Sequence, residues 1–378
     1  MKKKVLIVTE SISYGGLNLA SVRFQQYLDQ DQFECEYCVR RSHLGDLEED
    51  ILRQGIRVHH VPDSELNYLK SYRYYKKLFS ENHYDIVHCH LPFFSGIVLL
   101  AARQCGVPVR VAHAHFSQPY TDTAIYSKKK QAIAVVYRKL MRVLLKHYCN
   151  AKLACSQKAG EFLYGKRTFA DSGIVLNNGI ETDEFRYNSV YRHALRDELQ
   201  IAQDAVVLGH IGQMYSVKNQ SYIIDIFAHY YQQHSNAYLL LIGDGVDREM
   251  LEEKVRSLQL EKQVFFLGLR KDANKLYQAM DCFVFPSLHE GFPLTLIEAQ
   301  ASMLPCVISD AVTQQVKLND NIVFLPITVT PDVWCEQIDA LLQTDRQSVS
   351  AERVYQEFDI RAVTAKLEKI YLSLLPSD

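Results

Sequence analysis

The feature that most constrains the fold is a regular alternation of short apolar runs and amphipathic stretches along the 378-residue chain. The Val-, Ile- and Leu-rich runs predict strands over 4–9, 33–39, 56–61, 85–89, 109–114, 151–154, 174–177, 205–211, 237–242, 263–267, 282–285, 305–308 and 322–325. Apolar residues at helical spacing predict intervening helices, for example over 18–30, 69–82, 219–233, 247–258 and 294–303. Continuous apolar strands separated by helices indicate doubly wound α/β sheets of parallel strands.

The same arrangement occurs twice along the chain. The strand at 4–9 leads to Gly15, Gly16 and a helix, and the strand at 205–211 leads to Gly212, Lys218 and a helix. The chain is also too long for one compact α/β core. We therefore predict a first domain over 1–185 and a second over 186–355. The pattern over 351–375 is helical, and we expect a C-terminal helix within 356–378 to run back to the first domain.

Charge and composition exclude several classes of protein. The net charge is −2, with a basic first half and an acidic second half, so the uniform basicity of a nucleic-acid-binding protein is absent. No apolar run approaches the roughly 20 residues that a spanning helix needs. The apolar run after Lys2–Lys4 is too short for a secretion signal, and nine scattered cysteines are typical of reduced thiols. We expect a cytoplasmic protein.

The segment PSLHEGFPLTLIEA, residues 286–299, carries the most chemistry. It follows the strand at 282–285, and open α/β sheets bind ligands at the carboxyl ends of their strands. The unpaired amides at the start of the next helix could hold a diphosphate. Glu290 would then lie on the adjoining loop, and Glu298 could accept hydrogen bonds from two ribose hydroxyls. The alternative for Glu298 is a structural capping box with Thr295.

Lys218 stands at a predicted helix start, where a cation opposes the helix dipole. A bound diphosphate would account for it, and a solvated surface lysine is the alternative. Gly15 and Gly16 permit a tight turn close to a ligand, although an ordinary strand-to-helix turn would also use them.

His113 and His115 end the strand at 109–114, and strand alternation places both on one side. A hydrogen-bonded structural histidine is one interpretation of each residue. His88 and His90 are predicted to be buried strand and turn residues. The sequence has no H-E-x-x-H motif and no compact carboxylate cluster, and no metal site is predicted.

A basic, amphipathic stretch follows residue 127. It carries Lys128–Lys130, Arg138, Lys139, Arg142 and Lys146 interleaved with Ile133, Val136, Leu140, Leu144 and Leu145. Such a surface could associate with an anionic membrane. The alternative is a solvated helix face whose apolar side lies in the core.

Taken together, these motifs resemble those of the family 4 glycosyltransferases. Glu290 and Glu298 match the family's E-x7-E motif, and further matches are Tyr84–His90, Val175–Glu181, Leu241–Gly245 and Val264–Gly268. The resemblance extends over nearly the whole chain and is closest to capsular and exopolysaccharide transferases. It implies the GT-B fold, with two Rossmann-like domains facing across a cleft. It also implies retaining transfer of a sugar from a nucleotide-sugar, usually a UDP-sugar, to a glycan or lipid-linked saccharide.

The resemblance also implies residue roles. Glu290, His115 and Lys218 would be catalytic, with His113 as the alternative to His115. The donor would be bound by Gly15, Gly16, Gly212, Gln213, Lys218, Gly243, Gly245, Leu269, Phe292, Pro293, Leu294, Thr295 and Glu298. Gln213 replaces the family's arginine, which shifts phosphate neutralisation toward Lys218 and backbone amides. No cofactor beyond the nucleotide-sugar is implied.

Three readings of the function stay open at this stage. The first is a transferase in cell-surface polysaccharide synthesis, cytoplasmic or peripheral on the inner face of the plasma membrane. The second is a nucleotide-sugar 2-epimerase or a phosphorylase-like enzyme with the same fold. The third is a non-catalytic nucleotide-sugar-binding subunit of a transferase complex.

Overall fold

The chain folds into two compact units, each built on its own sheet. The computed structural model describes residues 2–13, 16–41, 45–62, 67–116 and 128–376. One unit comprises Met1–Gly179 together with Ile360–Asp378, and the other comprises Ile180–Asp359.

The first unit has a sheet of seven strands in the order β3-β2-β1-β4-β5-β6-β7, all parallel. Its elements are β1 (Lys3–Thr9), α1 (Gly16–Tyr27), β2 (Phe33–Val39), α2 (Glu48–Arg53), β3 (Val58–His60), α3 (Tyr68–Glu81), β4 (Ile86–Cys89), α4 (Ser95–Gln104), β5 (Val109–Ala114), α5 (Lys128–Tyr148), β6 (Ala151–Ala154), α6 (Gln157–Tyr164), α7 (Lys166–Ser172) and β7 (Gly173–Val175). Along β1, Leu6 and Val8 join one apolar cluster, whereas Val5 and Ile7 join another. The central strand is therefore covered on both faces, as its continuous apolar run predicts.

The second unit has six parallel strands in the order β10-β9-β8-β11-β12-β13. Its elements are α8 (Thr182–Phe185), α9 (Ser189–Glu198), β8 (Val206–Ile211), a 3₁₀ turn (Ser216–Lys218), α10 (Gln220–Gln233), β9 (Ala237–Ile242), α11 (Arg248–Ser257), β10 (Val264–Gly268), α12 (Ala273–Ala279), β11 (Cys282–Phe285), α13 (Leu294–Ala301), β12 (Cys306–Ser309), β13 (Ile322–Leu325), α14 (Pro331–Leu342) and α15 (Glu352–Phe358). Every strand predicted from the sequence is present, and the predicted α/β class with two parallel sheets is confirmed.

The last helix, α16 (Ile360–Leu374), belongs to the first unit. It packs against α1, and its Val363, Leu367 and Tyr371 are buried in the apolar cluster that contains Val5. Tyr371 Oη also lies 2.5 Å from Nδ1 of His88 in β4.

The continuous helical pattern predicted over 351–375 is wrong at one point. Asp359 is extended, with φ −61° and ψ 126°, and it separates α15 from α16. Contacts distant in sequence hold this break. The Thr182 hydroxyl donates to Oδ2 of Asp359 at 2.8 Å, and the amide of Ile180 donates to the carbonyl of Phe358 at 2.8 Å. Among the described residues, no helix is both long and apolar enough to cross a bilayer.

Candidate functional site

One edge of the second sheet gathers the predicted ligand-binding residues of that unit. Strands β10, β9, β8 and β11 are adjacent and parallel, so the loops after them emerge at the same edge. These loops and the start of α13 carry Gly212, Gln213, Lys218, Gly243, Gly245, Leu269, Glu290, Phe292, Pro293, Leu294, Thr295 and Glu298. The backbone order of the sheet alone brings these residues to a common edge.

The turns after β8 and β9 are in direct backbone contact. Gly243 has φ +128°, and a Cβ built on it would lie 2.1 Å from the carbonyl oxygen of Gly212. A Cβ on Gly245 would lie 2.4 Å from the carbonyl oxygen of Met214. The amide of Met214 also donates to the carbonyl of Asp244 at 2.9 Å. Glycine is therefore required at 243 for both its conformation and the close approach.

The turn after β8 is also joined to the loop after β11. The amide of Leu288 donates to the carbonyl of Val217 at 2.9 Å. Asn219, in the left-handed conformation with φ 57°, donates from Nδ2 to the carbonyl of Pro286 at 3.2 Å. These two bonds fix the 3₁₀ turn that ends at Lys218 against the loop that carries Glu290.

Lys218 and Glu290 form the central contact of the edge. Lys218 Nζ lies 2.7 Å from Glu290 Oε1, with side-chain exposures of 21% and 12%. The same ammonium group lies 5.4 Å from the ring centre of Phe285, within cation–π range. Lys218 is thus neither extended into solvent nor unpaired, and the solvated-lysine alternative is wrong.

Helix α13 presents its first turn to this edge. Its N-cap is Pro293, and no side chain caps it. The amide of Leu296 donates to the Pro293 carbonyl at 3.2 Å, whereas the amides of Leu294 and Thr295 have no side-chain cap, and the positive end of the dipole lies there. Thr295 is inside the helix, so it cannot act as the N-cap of a capping box with Glu298. Glu298 Oε2 instead accepts a hydrogen bond from Tyr277 Oη at 3.0 Å.

His210 is a buried residue of this edge that the sequence reasoning did not single out. Its ring lies between those of Phe283 and Phe285, with centroids 5.8 and 5.3 Å away. Nδ1 lies 3.0 Å from the carbonyl of Val284 and must carry the proton, because a carbonyl only accepts. Burial lowers the pKa of His210 to about 3, although the bond to Val284 opposes the shift. No motif contains His210, so only its alternating position in β8 could have marked it as buried.

The first unit brings four histidines together at the ends of β4 and β5. His88 and His90 stack 4.2 Å apart, and His113 and His115 lie 4.3 Å apart. His90 Nδ1 is 2.9 Å from His115 Nε2. His88, His90 and His113 are buried, as predicted for the first two, whereas His115 is partly exposed. Desolvation lowers the pKa of His115 to about 3, and it also holds the pKa values of His88, His90 and His113 well below their usual range.

Nitrogens of three of these rings, those of His88, His90 and His113, lie within 4.8 Å of one another. The rings are inclined to each other by only 7–32°. We call the four residues, His88, His90, His113 and His115, the histidine array.

Two of the glycines predicted to bind the donor, Gly15 and Gly16, belong to the first unit. Gly15 lies outside the described residues, and Gly16 is the first residue of α1.

Comparison with known proteins identifies the family. The family model for group 1 glycosyl transferases matches residues 192–355, and the model for glycosyltransferase family 4 matches residues 14–184. The putative glycosyltransferase EpsF of Bacillus subtilis is 32% identical over 341 residues, which are 89% of this chain and 87% of EpsF. The chain belongs to the family 4 glycosyltransferases.

Two further relatives of this transferase are informative. The Escherichia coli UDP-Gal:alpha-D-GlcNAc-diphosphoundecaprenol alpha-1,3-galactosyltransferase is 27% identical over 306 residues, covering 78% of this chain and 76% of the relative. Anabaena HepE, solved in complex with UDP, superposes with a TM-score of 0.77 at 20% identity, covering 99% of this chain and 100% of HepE. The transferase therefore has the predicted GT-B fold.

The basic stretch of the transferase is helix α5. A solvated face with all of its apolar residues in the core does not describe this helix. Ile133, Val136, Leu140 and Val143 recur at helical spacing and are 52–65% exposed. Leu145 on the other side is fully buried. The apolar residues of α5 are thus divided between the core and an exposed stripe.

The predicted basic residues of α5 are also divided. Arg142 donates to the backbone carbonyls of Phe162 and Leu163 at 2.7 and 3.3 Å, so it binds α6. Lys139 and Lys146 are exposed, and Arg138 is half-buried. The side chains of Lys128 and Lys129 lie outside the described residues.

Proposed function

We propose that this transferase moves a hexosyl or N-acetylhexosaminyl group from a UDP-sugar to a glycan or lipid-linked saccharide, with retained anomeric configuration, in cell-surface polysaccharide synthesis. The observation that carries the proposal is the Lys218–Glu290 pair beside the uncapped start of α13. The complex of HepE with UDP supports the choice of base. The UDP-Gal donor and diphosphoundecaprenol-linked acceptor in the name of the E. coli relative support both substrate classes.

The diphosphate binds between Lys218 and the first-turn amides of α13. Its negative charge complements both the ammonium group and the positive end of the helix dipole. Gln213 is exposed and supplies no charge, while its carbonyl accepts from Nε2 of Gln220 at 2.9 Å. Lys218 is therefore the cation on which phosphate binding at this turn depends.

Transfer breaks the bond between C1 of the sugar and the diphosphate oxygen, and forms a bond from C1 to the acceptor hydroxyl oxygen. The proton of that hydroxyl passes to the departing diphosphate. Charge builds on the diphosphate as the first bond breaks, and Lys218 and the amides stabilise it most at that point. No metal ion is required for this stabilisation, so the reaction should proceed in EDTA.

Two further side chains of the second unit orient the donor. Glu290 accepts hydrogen bonds from the sugar hydroxyls, and Glu298 accepts from the ribose. In the first unit, His115 is the member of the histidine array that is partly exposed, and we assign it to sugar binding on that ground. Its lowered pKa keeps it neutral at pH 7, so one ring nitrogen donates and the other accepts.

The first experiment compares thermal shifts with UDP, GDP, ADP and TDP, since a ligand of the folded state raises the melting temperature. UDP should give the largest shift. Product analysis by NMR should then show the donor's anomeric configuration in the product, and no altered sugar when the acceptor is omitted. Release of an epimerised sugar from the donor alone would refute transfer as the primary reaction.

Variants test the assigned roles directly. Glu290→Ala and Lys218→Ala should each lower turnover by about 100-fold, the usual cost of losing one charge-stabilising group. Their melting temperatures without ligand should stay near that of the wild type. Wild-type turnover in either variant would refute the assignment.

We also propose that α5 binds an anionic membrane, where a lipid-linked acceptor would reside. The stripe of Ile133, Val136, Leu140 and Val143 would enter the headgroup region, flanked by the cations Lys139 and Lys146. Helix α5 contains no acidic residue. Each lysine or arginine near an anionic surface adds about 1 kcal/mol, which favours lipid over an uncharged partner.

Vesicle flotation tests the membrane surface. The protein should float with vesicles containing phosphatidylglycerol and remain unbound with pure phosphatidylcholine. Val136→Ser combined with Leu140→Ser should abolish flotation. Val190→Ser combined with Val246→Ser is the matched control, because these exposed valines lie in the second unit. Equal loss in both double variants, or no loss in the α5 variant, would refute the proposal.

A further inference from the structure

Tyr277 is a buried tyrosine whose hydroxyl group reaches the candidate site. It lies in α12, and its side chain is fully buried. Its ring contacts those of Phe185 and Phe283, with centroids 5.8 and 5.6 Å away. Its Oη lies 3.0 Å from Glu298 Oε2 and 3.1 Å from the carbonyl of Thr295, both on α13.

The phenol has one proton, so these two acceptors compete for it. The Thr295 carbonyl is inside α13 and is positioned to accept the helical hydrogen bond from the amide four residues later. The Glu298 carboxylate is the stronger acceptor of the two, because hydrogen bonds to charged groups are the stronger ones. The proton of Tyr277 therefore points to Glu298 Oε2.

This bond restricts the Glu298 side chain. A free glutamate loses substantial rotamer freedom when it is fixed by a ligand. Here one carboxylate oxygen is already fixed from the buried side of α13 by a residue whose ring is held in the core.

We propose that Tyr277 is a positioning residue that orients Glu298 to accept both ribose hydroxyls of the donor. The inference rests on the proposed function, in which Glu298 binds the ribose. It goes further by assigning the preference for a ribonucleotide over a deoxyribonucleotide to a pair of residues in α12 and α13. The ligand class is a nucleoside diphosphate with an intact 2′,3′-diol.

The test uses Tyr277→Phe and a pair of nucleotides. Phenylalanine keeps the ring contacts and removes only the hydroxyl. Isothermal titration calorimetry would measure the binding of UDP and of 2′,3′-dideoxy-UDP to wild type and variant. The variant should bind UDP about tenfold more weakly, and 2′,3′-dideoxy-UDP with less than about twofold change. The KM for the donor should rise similarly, with little change in kcat.

Tyr230→Phe is the matched control. Tyr230 is also a buried tyrosine of the second unit, and its Oη donates to a carboxylate, Oδ1 of Asp339, at 2.9 Å. That contact joins α10 to α14 and involves no residue of the proposed site. Tyr230→Phe should leave the ratio of the two nucleotide affinities at the wild-type value.

If Tyr277→Phe weakened the binding of UDP and of 2′,3′-dideoxy-UDP equally, the inference would be overturned, because the hydroxyl would then serve only the fold. Glu298→Gln separates this failure from failure of the proposed function. If Glu298→Gln reduces the preference for UDP and Tyr277→Phe does not, the inference fails and the ribose contact stands. If neither variant changes the preference, the role of Glu298 in the proposed function fails as well.

Discussion

Replacing Glu290 with glutamine should strengthen the binding of UDP, although the same change should slow transfer. In the free enzyme the Lys218 ammonium group is paired with Glu290 at 2.7 Å. It must leave or share that carboxylate to bind a phosphate oxygen. The carboxylate also repels the diphosphate. Glu290 therefore opposes nucleotide binding, whereas Lys218 favours it.

The structure limits the size of the effect. Hydrogen bonds to charged groups stabilise by about 1.5–3 kcal/mol. The pair is 21% and 12% exposed, so solvent screening reduces its contribution to about 1 kcal/mol. Because 1.4 kcal/mol is a factor of ten, Glu290→Gln should lower the dissociation constant of UDP by about fivefold. Lys218→Met should raise it by about tenfold or more, since the charge on the phosphate side is lost.

Isothermal titration calorimetry with UDP is the appropriate assay, because UDP lacks the transferred sugar that Glu290 would contact. Asp225→Asn is the matched control. Its carboxylate accepts from Nζ of Lys254 at 2.7 Å, between α10 and α11. This change should leave UDP affinity unaltered. Weaker or unchanged UDP binding in a normally folded Glu290→Gln protein would refute the competition argument.

Two further predictions concern stability. Gly243→Ala should cost about 3 kcal/mol or more, because φ is +128° and the new methyl group would lie 2.1 Å from the Gly212 carbonyl. Gly55→Ala, at φ +78° with no atom within 4 Å of the new methyl group, should cost only about 1–2 kcal/mol, and equal losses of melting temperature would contradict this. His210 has a pKa of about 3 when folded and an ordinary value of 6.5, so the unfolded chain binds the additional proton and stability falls as pH drops from 6.5 toward 3. His210→Phe should reduce that slope by up to about 1.4 kcal/mol per pH unit, and identical slopes in urea titrations between pH 7 and 4.5 would contradict the assignment.

The sheets could be predicted from the sequence because burial on both faces requires continuous apolar strands. The runs at 237–242 and 282–285 coincide with β9 and β11. Helix interruptions were less predictable. Asp359 ends a helical pattern because Thr182, far away in sequence, binds its carboxylate. Local periodicity contains no information about such a contact.

The candidate site was predictable where a motif marks it and unpredictable where a contact completes it. The E-x7-E spacing indicates Glu290 and Glu298, but the direct pairing of Glu290 with Lys218 depends on the order of β8 and β11 in the sheet. Tyr277 belongs to no motif and became visible only through its bond to Glu298. Arg142 was likewise predicted to belong to the basic surface of α5, but its guanidinium group donates to a backbone carbonyl of α6.

The division of the first unit between the two ends of the chain has a consequence for biosynthesis. Residues 1–179 emerge from the ribosome first, yet the surface that α16 covers stays exposed to solvent until residues 360–374 emerge. The second unit is contiguous over residues 180–359, so all of its strands are synthesised before α16 of the first unit. During that interval the nascent first unit exposes the apolar patch that Val363, Leu367 and Tyr371 later cover, and exposed apolar surface of this kind is where aggregation begins and chaperones bind.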